Sequence, residues 1–251
     1  MARRNRKTLK NFFQKGQLPT QENFSDLIDS MVNVVDEGFS KSINDGLEIS
    51  PIGDSQKLIS FFRNIEDKSP IWSCETDKLN NNLSFNNRNG DKVLVLNEEK
   101  RVGINTENPG TTLDVNGILS YKGRLGTYKY GLVPANGKWQ SIITGLDACN
   151  AFEIMAGVGK KKSGKYSLLH AFALSTFNSE NKISYHQSFF KTMCNSIKLK
   201  WSGSMHDYSL EIKSRSDFGE DIYIQYSISK LWFDPFMDNC VIDKNEENND
   251  E

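Results

Sequence analysis

Apolar residues follow three patterns in succession along this chain. Between Thr20 and Gly38, the residues Phe24, Leu27, Ile28, Met31, Val34 and Val35 recur at spacings of three and four, which lines them along one side of a helix. Thr20, just after Pro19, suits an N-cap, and Gly38 suits the left-handed residue that closes a helix. A shorter helix is predicted around residues 8–14. From residue 47 the pattern breaks into short apolar pulses: Leu47/Ile49, Leu58/Ile59/Phe61, Ile71/Trp72, Leu83/Phe85, Val93/Val95, Val102/Ile104, Leu113/Val115 and Ile118/Leu119. Turn residues such as Asn89-Gly90-Asp91, Asn108-Pro109-Gly110 and Asn116-Gly117 separate them. That spacing is too short for strand–helix units and predicts a meander or a solenoid-like stem. From about residue 122 the alternation lengthens, with strands expected over 151–158, 167–174, 183–189, 196–201, 208–213 and 222–229. Ile197, Leu199 and Trp201 share one side of such a strand while Lys198 and Lys200 take the other. Six to eight strands of this kind indicate an antiparallel sandwich or jelly roll.

The expected fold is therefore mainly β with an N-terminal helix. Residues 1–46 form a basic arm and helical attachment segment, 47–121 a fibrous β stem, 122–240 a jelly-roll-like β-sandwich, and 241–251 an acidic disordered tail. Two or three apolar side chains per strand offset only part of the entropy of ordering a stem segment. Such a stem is expected to be stable when copies stack, within a chain or between chains. The helix has no second helix of comparable quality nearby. Its stripe is expected to meet copies of itself around a symmetry axis, the alternative being the chain's own second domain.

Charge and cysteine usage narrow the classes. A net charge of −1 and a pI near 6.3 give no global attraction to nucleic acid or an anionic membrane. The start is basic (Arg3, Arg4, Arg6, Lys7, Lys10, Lys15) and the end acidic (Asp243, Glu246, Glu247, Asp250, Glu251). Without aromatics at stacking positions, the basic arm reads as solvated or docked on a partner rather than bound to nucleic acid. No apolar run reaches the roughly 20 residues of a membrane helix, and the N-terminus lacks the apolar core of a secretory signal. The chain is expected to be made in the cytoplasm and to stay there or leave within a larger particle. Cys74, Cys149, Cys194 and Cys240 are scattered, with no close pair to hold a metal, and are expected to be reduced structural thiols.

No motif points to catalysis, a metal or a cofactor. His170 and His186 fall within predicted strands and His206 follows a Ser-Gly-Ser turn, with no nucleophile elbow anywhere. Paired carboxylates for glycoside hydrolysis would have to come from Asp147, Glu153, Asp207, Glu211 and Asp217, which read as solvated charges. Gly159-x-x-x-x-Gly164-Lys165 imitates a phosphate loop, but Tyr166 takes the place of Ser or Thr and a strand follows, so a charged hairpin turn is expected. Trp139, Tyr185, Trp201, Tyr208, Tyr223, Tyr226, Trp232 and Phe233 divide between core and surface. The stretch from Leu231 to Met237 reads as a packing lid.

The segment Arg101-Val-Gly-Ile-Asn-Thr-Glu-Asn-Pro-Gly-Thr-Thr-Leu-Asp-Val-Asn-Gly117 closely resembles the V-G-I-G-T-x-x-P-x-x-x-L-D-V-x-G signature of bacteriophage tail fibres and related trimeric surface fibres. Val102, Gly103, Thr106, Pro109, Leu113, Asp114, Val115 and Gly117 stand at the family positions; Asn105 stands where Gly is usual, and Asn tolerates left-handed backbone. The stretch from Lys7 to Met31, and Leu58-Ile-Ser-Phe-Phe-Arg-Asn-Ile65 with Ser69-Pro-Ile-Trp72, resemble fibre-like proteins of phage-tail-like contractile injection systems of the Bacteroidetes type. The resemblance implies a homotrimer with a short interchain β stem, β-helix- or prism-like, whose N-terminal helix attaches to a baseplate or another particle protein, and whose sandwich contacts a cell-surface glycan or protein. A glycan-active enzyme and a structural plug binding only other particle proteins are the alternatives.

Overall fold

The computed structural model describes residues 4–31, 38–64 and 66–241. Val34, Val35 and the acidic end from Asp243 lie outside the described residues. The chain divides into two compact units, Met1–Ser120 and Tyr121–Glu251.

The first unit opens with α1 (Arg6–Phe12) and α2 (Gln21–Asp29). Asn5 caps α1 by accepting the Thr8 amide, and Thr20 and Asn23 form a reciprocal capping box on α2. The predicted helix through Gly38 is described only as far as Asp29, where Ser30 closes it; the Ser30 hydroxyl donates to the Asp26 carbonyl at 2.6 Å. Phe13 meets Phe24 edge to face at 5.4 Å, so α2 has a partner within its own unit. A small hairpin of β1 (Phe39–Ser42) and β2 (Gly46–Ile49) follows.

Six short strands come next: β3 (Lys57–Phe61), β4 (Trp72–Thr76), β5 (Leu83–Asn87), β6 (Lys92–Leu96), β7 (Val102–Ile104) and β8 (Leu113–Val115). They form one sheet in chain order, antiparallel except for the parallel pair β7–β8. The apolar pulses thus mark a meander whose hydrogen bonds run within the chain. Ile118 and Leu119, the last pulse, lie beyond the sheet and are exposed.

The second unit is a sandwich. Strands β9 (Lys129–Pro134), β10 (Gln140–Leu146), β11 (Cys149–Lys160), β12 (Lys165–Thr176), β13 (Lys182–Phe189), β14 (Ile197–Ser204), β15 (Asp207–Ser214) and β16 (Tyr223–Lys230) build two antiparallel sheets. One has the order β13-β12-β11-β16-β9, the other β10-β15-β14. Period-two alternation turns Phe152, Ile154, Ala156 and Val158 of β11 inward, against Tyr208, Leu210 and Ile212 of β15. β9 and β10, which the alternation did not mark, close the two sheets. All four cysteines are free; Cys74 and Cys149 are buried, Cys194 and Cys240 exposed.

Candidate functional site

Two surfaces and one ion cluster hold many of the residues that the sequence singles out. The first surface belongs to the six-stranded sheet. Because successive residues of a strand point to opposite faces, register decides which side chains share a side. Ile59, Cys74, Phe85, Leu94, Ile104 and Val115 are linked partner to partner across all six strands. A second row joins Leu83, Leu96, Val102 and Leu113. Of these ten side chains only that of Cys74 is buried; Leu113 is 54% exposed. The opposite face carries Ser73, Ser84, Asn86, Gly103 and Asp114, and the β7–β8 crossover folds back onto it.

The stem motif supplies that crossover. Gly103 is buried, and a Cβ there would lie 2.5 Å from the Thr106 carbonyl oxygen. Asn105 takes the left-handed backbone its side chain tolerates, at φ 54°. Pro109 is buried, with its carbonyl accepting from Arg101 at 3.2 Å, while Asp114 accepts the Gly110 amide at 2.9 Å. Gly117 is exposed just past β8.

The helical stripe stays largely open: Phe24, Ile28 and Met31 are exposed and Leu27 half-buried. Arg4 folds back onto α2, its Nε 3.0 Å from Asp26 and its amide donating to the Ser30 hydroxyl. At least this residue of the basic arm is docked on its own chain.

The ion cluster lies on the outer side of the five-stranded sheet, with only Glu153 buried. Glu153 and His170, kept apart in the sequence reading, meet there, with Nε2 2.8 Å from Oε1. Arg124, from the segment leading into β9, places Nη2 2.5 and 2.7 Å from the two carboxylate oxygens. Glu153 is only 6% exposed although it faces away from the core. The segment bearing Arg124 is pressed close, since a Cβ on Gly126 would stand 2.5 Å from the Ile228 carbonyl carbon. Both oxygens of Glu153 are engaged, so the carboxyl is clasped between Arg124 and His170. Alongside it Leu125, Tyr130, Leu132, Met155 and Leu168 line a groove of about 630 Å³.

The remaining candidates are dispersed. Asp147 bonds His206 at 3.0 Å, and that bond, with the Ala148 amide, holds its carboxyl below the ordinary value. Burial pushes Glu211 upward, but the bonds from Lys200 and Ser202, both 2.9 Å, more than reverse it. Lys200 and Lys213 both lie over the Trp139 ring, at 4.7 and 4.6 Å. Trp201 and Tyr208 pack in or against the core, whereas Tyr185, Tyr223 and Phe233 are exposed. The phosphate-loop mimic is the β11–β12 hairpin turn, with Lys162 and Gly164 at positive φ. Trp232 is half-buried beside Pro235, whose carbonyl accepts the Cys149 amide. Among the described residues no group of three or more His, Cys, Asp or Glu side chains could hold a metal, and no helix is long and apolar enough to cross a membrane. Arg124 was not legible in advance, because it sits in a segment without periodicity.

No protein-family model matches the chain, and no curated protein matches it. Among solved structures, the tailspike protein of Acinetobacter phage vB_ApiP_P1 is similar over part of its length, at 13% identity and a TM-score of 0.30. The match covers 51% of this chain and 26% of the tailspike chain, about a quarter of that protein.

Proposed function

We propose that this chain is a non-enzymatic, adhesin-like fibre subunit of a phage-tail-like contractile particle. Three copies associate through the first unit, the N-terminal segment attaches to a baseplate or other particle protein, and the sandwich contacts a cell surface or a partner. One observation carries the reading: the six-stranded sheet turns two rows of apolar side chains outward with a single buried member. Domains are stable when an apolar sheet face is covered by a second layer. Besides Pro109, only Cys74 and Val95 are buried among the apolar residues described in the first unit. Covering a half-exposed leucine or phenylalanine recovers roughly 1 kcal/mol, half of what full burial supplies. Ile59, Leu96 and Leu113 are 37–54% exposed and six further members of the rows are only partly buried, so covering these rows in three copies contributes to association. The stem motif, with its likeness to trimeric fibres, points the same way.

Glycan cleavage would need a carboxyl free to protonate the leaving oxygen. Glu153, the most enclosed of the candidate carboxyls, is clasped on both oxygens, which supports contact over hydrolysis as the role of the sandwich. Sedimentation equilibrium of the full chain tests the reading. The expected result is a species of three times the 28.5 kDa chain mass. A well-folded monomer at micromolar concentration overturns it.

A further inference from the structure

The two ends of the sandwich differ in character. Lys129, where β9 begins, pairs with Ile228, and Lys230, where β16 ends, pairs with Phe152 near the start of β11. The chain therefore enters and leaves at one end. The β11–β12 turn stands at the other, at the far end of two strands of 12 residues each. β13 also finishes there, since Phe189 pairs with Ser167 two residues from the start of β12.

That far end combines cations with aromatic rings. Lys160, Lys161 and Lys162 form the turn, and Lys191 follows β13; all four are exposed and make no ion pair among the described residues. Lys165 instead bonds the Asp217 carbonyl at 2.9 Å and lies over Phe218, which ties the turn down. Beside the lysines, Tyr166, Phe189 and Phe190 line a shallow groove of about 460 Å³. Tyr166 and Phe190 meet edge to face at 6.4 Å, the Phe190 amide donates to the Tyr166 carbonyl at 3.0 Å, and the Tyr166 hydroxyl accepts the Lys162 amide at 3.2 Å. Tyr166 and Phe190, 43% and 47% exposed, thus form a fixed aromatic wall open to solvent, with Lys191 Nζ 5.4 Å from the Phe190 ring centre, whereas Phe189, opposite Ser167, turns to the other face of the sheet. The acidic side chains of this end, Asp217, Glu220 and Asp221, belong to the β15–β16 connection and not to β12 or β13, which line the groove.

We infer that this end of the sandwich binds an acidic polysaccharide, a sugar chain bearing carboxylate, phosphate or sulfate groups. The aromatic wall takes the apolar face of a sugar ring, and the ammonium groups of Lys160, Lys161, Lys162 and Lys191 pair with its anions. A nucleic acid fits less well. Neither the turn nor the groove contains an arginine fork, the groove is short against the several nucleotides a single-strand channel tracks, and the chain carries a net charge of −1. The inference rests on the fibre reading, since it assigns what the outward contact holds.

The test measures binding of the full chain to polygalacturonate, dextran sulfate, neutral dextran and poly(dT) over a series of salt concentrations. Both acidic polysaccharides are expected to bind and neutral dextran not to. The triple variant K160A/K161A/K162A is expected to lose at least tenfold in affinity with a shallower salt dependence. Tyr166→Ala and Phe190→Leu are expected to lose about fivefold at unchanged salt slope. Circular dichroism identifies any variant that has unfolded, and the conservative Phe190→Leu keeps the aromatic arm readable if Tyr166→Ala has. Undiminished binding by the lysine variant, aromatic variants that bind like the parent, or preference for poly(dT) each overturn the inference. Sedimentation of the same samples separates the two readings: a trimer that ignores both polysaccharides sinks only this one, whereas a monomer that binds them through the lysines sinks only the fibre.

Discussion

Tyr208 shows how much the sandwich core depends on one polar atom. Its ring is fully buried, and its hydroxyl donates to the Ala148 carbonyl while accepting from Asn150 Nδ2, both at 2.8 Å. Tyr208→Phe keeps the ring and removes both bonds, so a loss of about 1–2 kcal/mol is expected. Urea denaturation should show a lower midpoint at unchanged slope. Asp147, at the same end of the sandwich, makes stability depend on acid. The His206 bond holds its folded pKa below the ordinary 3.8, so the contribution is fully present above the ordinary carboxylate range and is lost as pH falls through the folded value. The parent should therefore melt above His206→Ala where the carboxyl is ionised, and the gap should narrow as pH falls through the lowered folded value. A gap that does not narrow at all as the carboxyl is titrated with acid would show that the bond plays no such part.

Among the elements, the β7–β8 unit is the most sharply determined. Gly103→Ala brings a methyl within 2.5 Å of the Thr106 carbonyl oxygen, contact that only backbone displacement relieves. A cost of about 1–3 kcal/mol is expected, whereas Asn105→Gly, at φ 54°, should be tolerated. Urea titrations of the two variants, followed by circular dichroism, would distinguish strain at Gly103 from a general fragility of the loop. This unit was legible because Gly, Asn and Pro announce backbone conformations that other residues resist. The strands of the six-stranded sheet were legible through their pulses, but their intrachain pairing was not, since pulses carry no register. β9 and β10 escaped notice: β10 contains two register shifts, which break its alternation at Ile143. The clasp of Arg124 on Glu153 left no trace either. It depends on where an aperiodic segment crosses a sheet, and Glu153 alternates along β11 like any surface charge.

At the scale of the whole molecule, apolar burial is divided unequally between the units. The sandwich encloses a core from Ala135 to Ile228, including fully buried Phe152, Ile154, Leu210, Ile212 and Ile224. The first unit buries almost nothing apolar among its described residues and leaves its two rows open. Two unfolding transitions are therefore expected, with different dependence on concentration. The sandwich transition should not move on dilution, because its stability resides within one chain. The other should fall with dilution, by about 0.9 kcal/mol per chain for each tenfold step if three chains separate as they unfold. Leu94→Asp places a carboxylate in the middle of the six-residue row, between Phe85 and Ile104. In a covered face that charge has no partner, so the variant should sediment as a monomer and lose the concentration-dependent transition while the sandwich transition stays in place. If the face is instead bare in solution, Leu94→Asp should be nearly neutral, and neither its sedimentation nor its melting should differ from the parent.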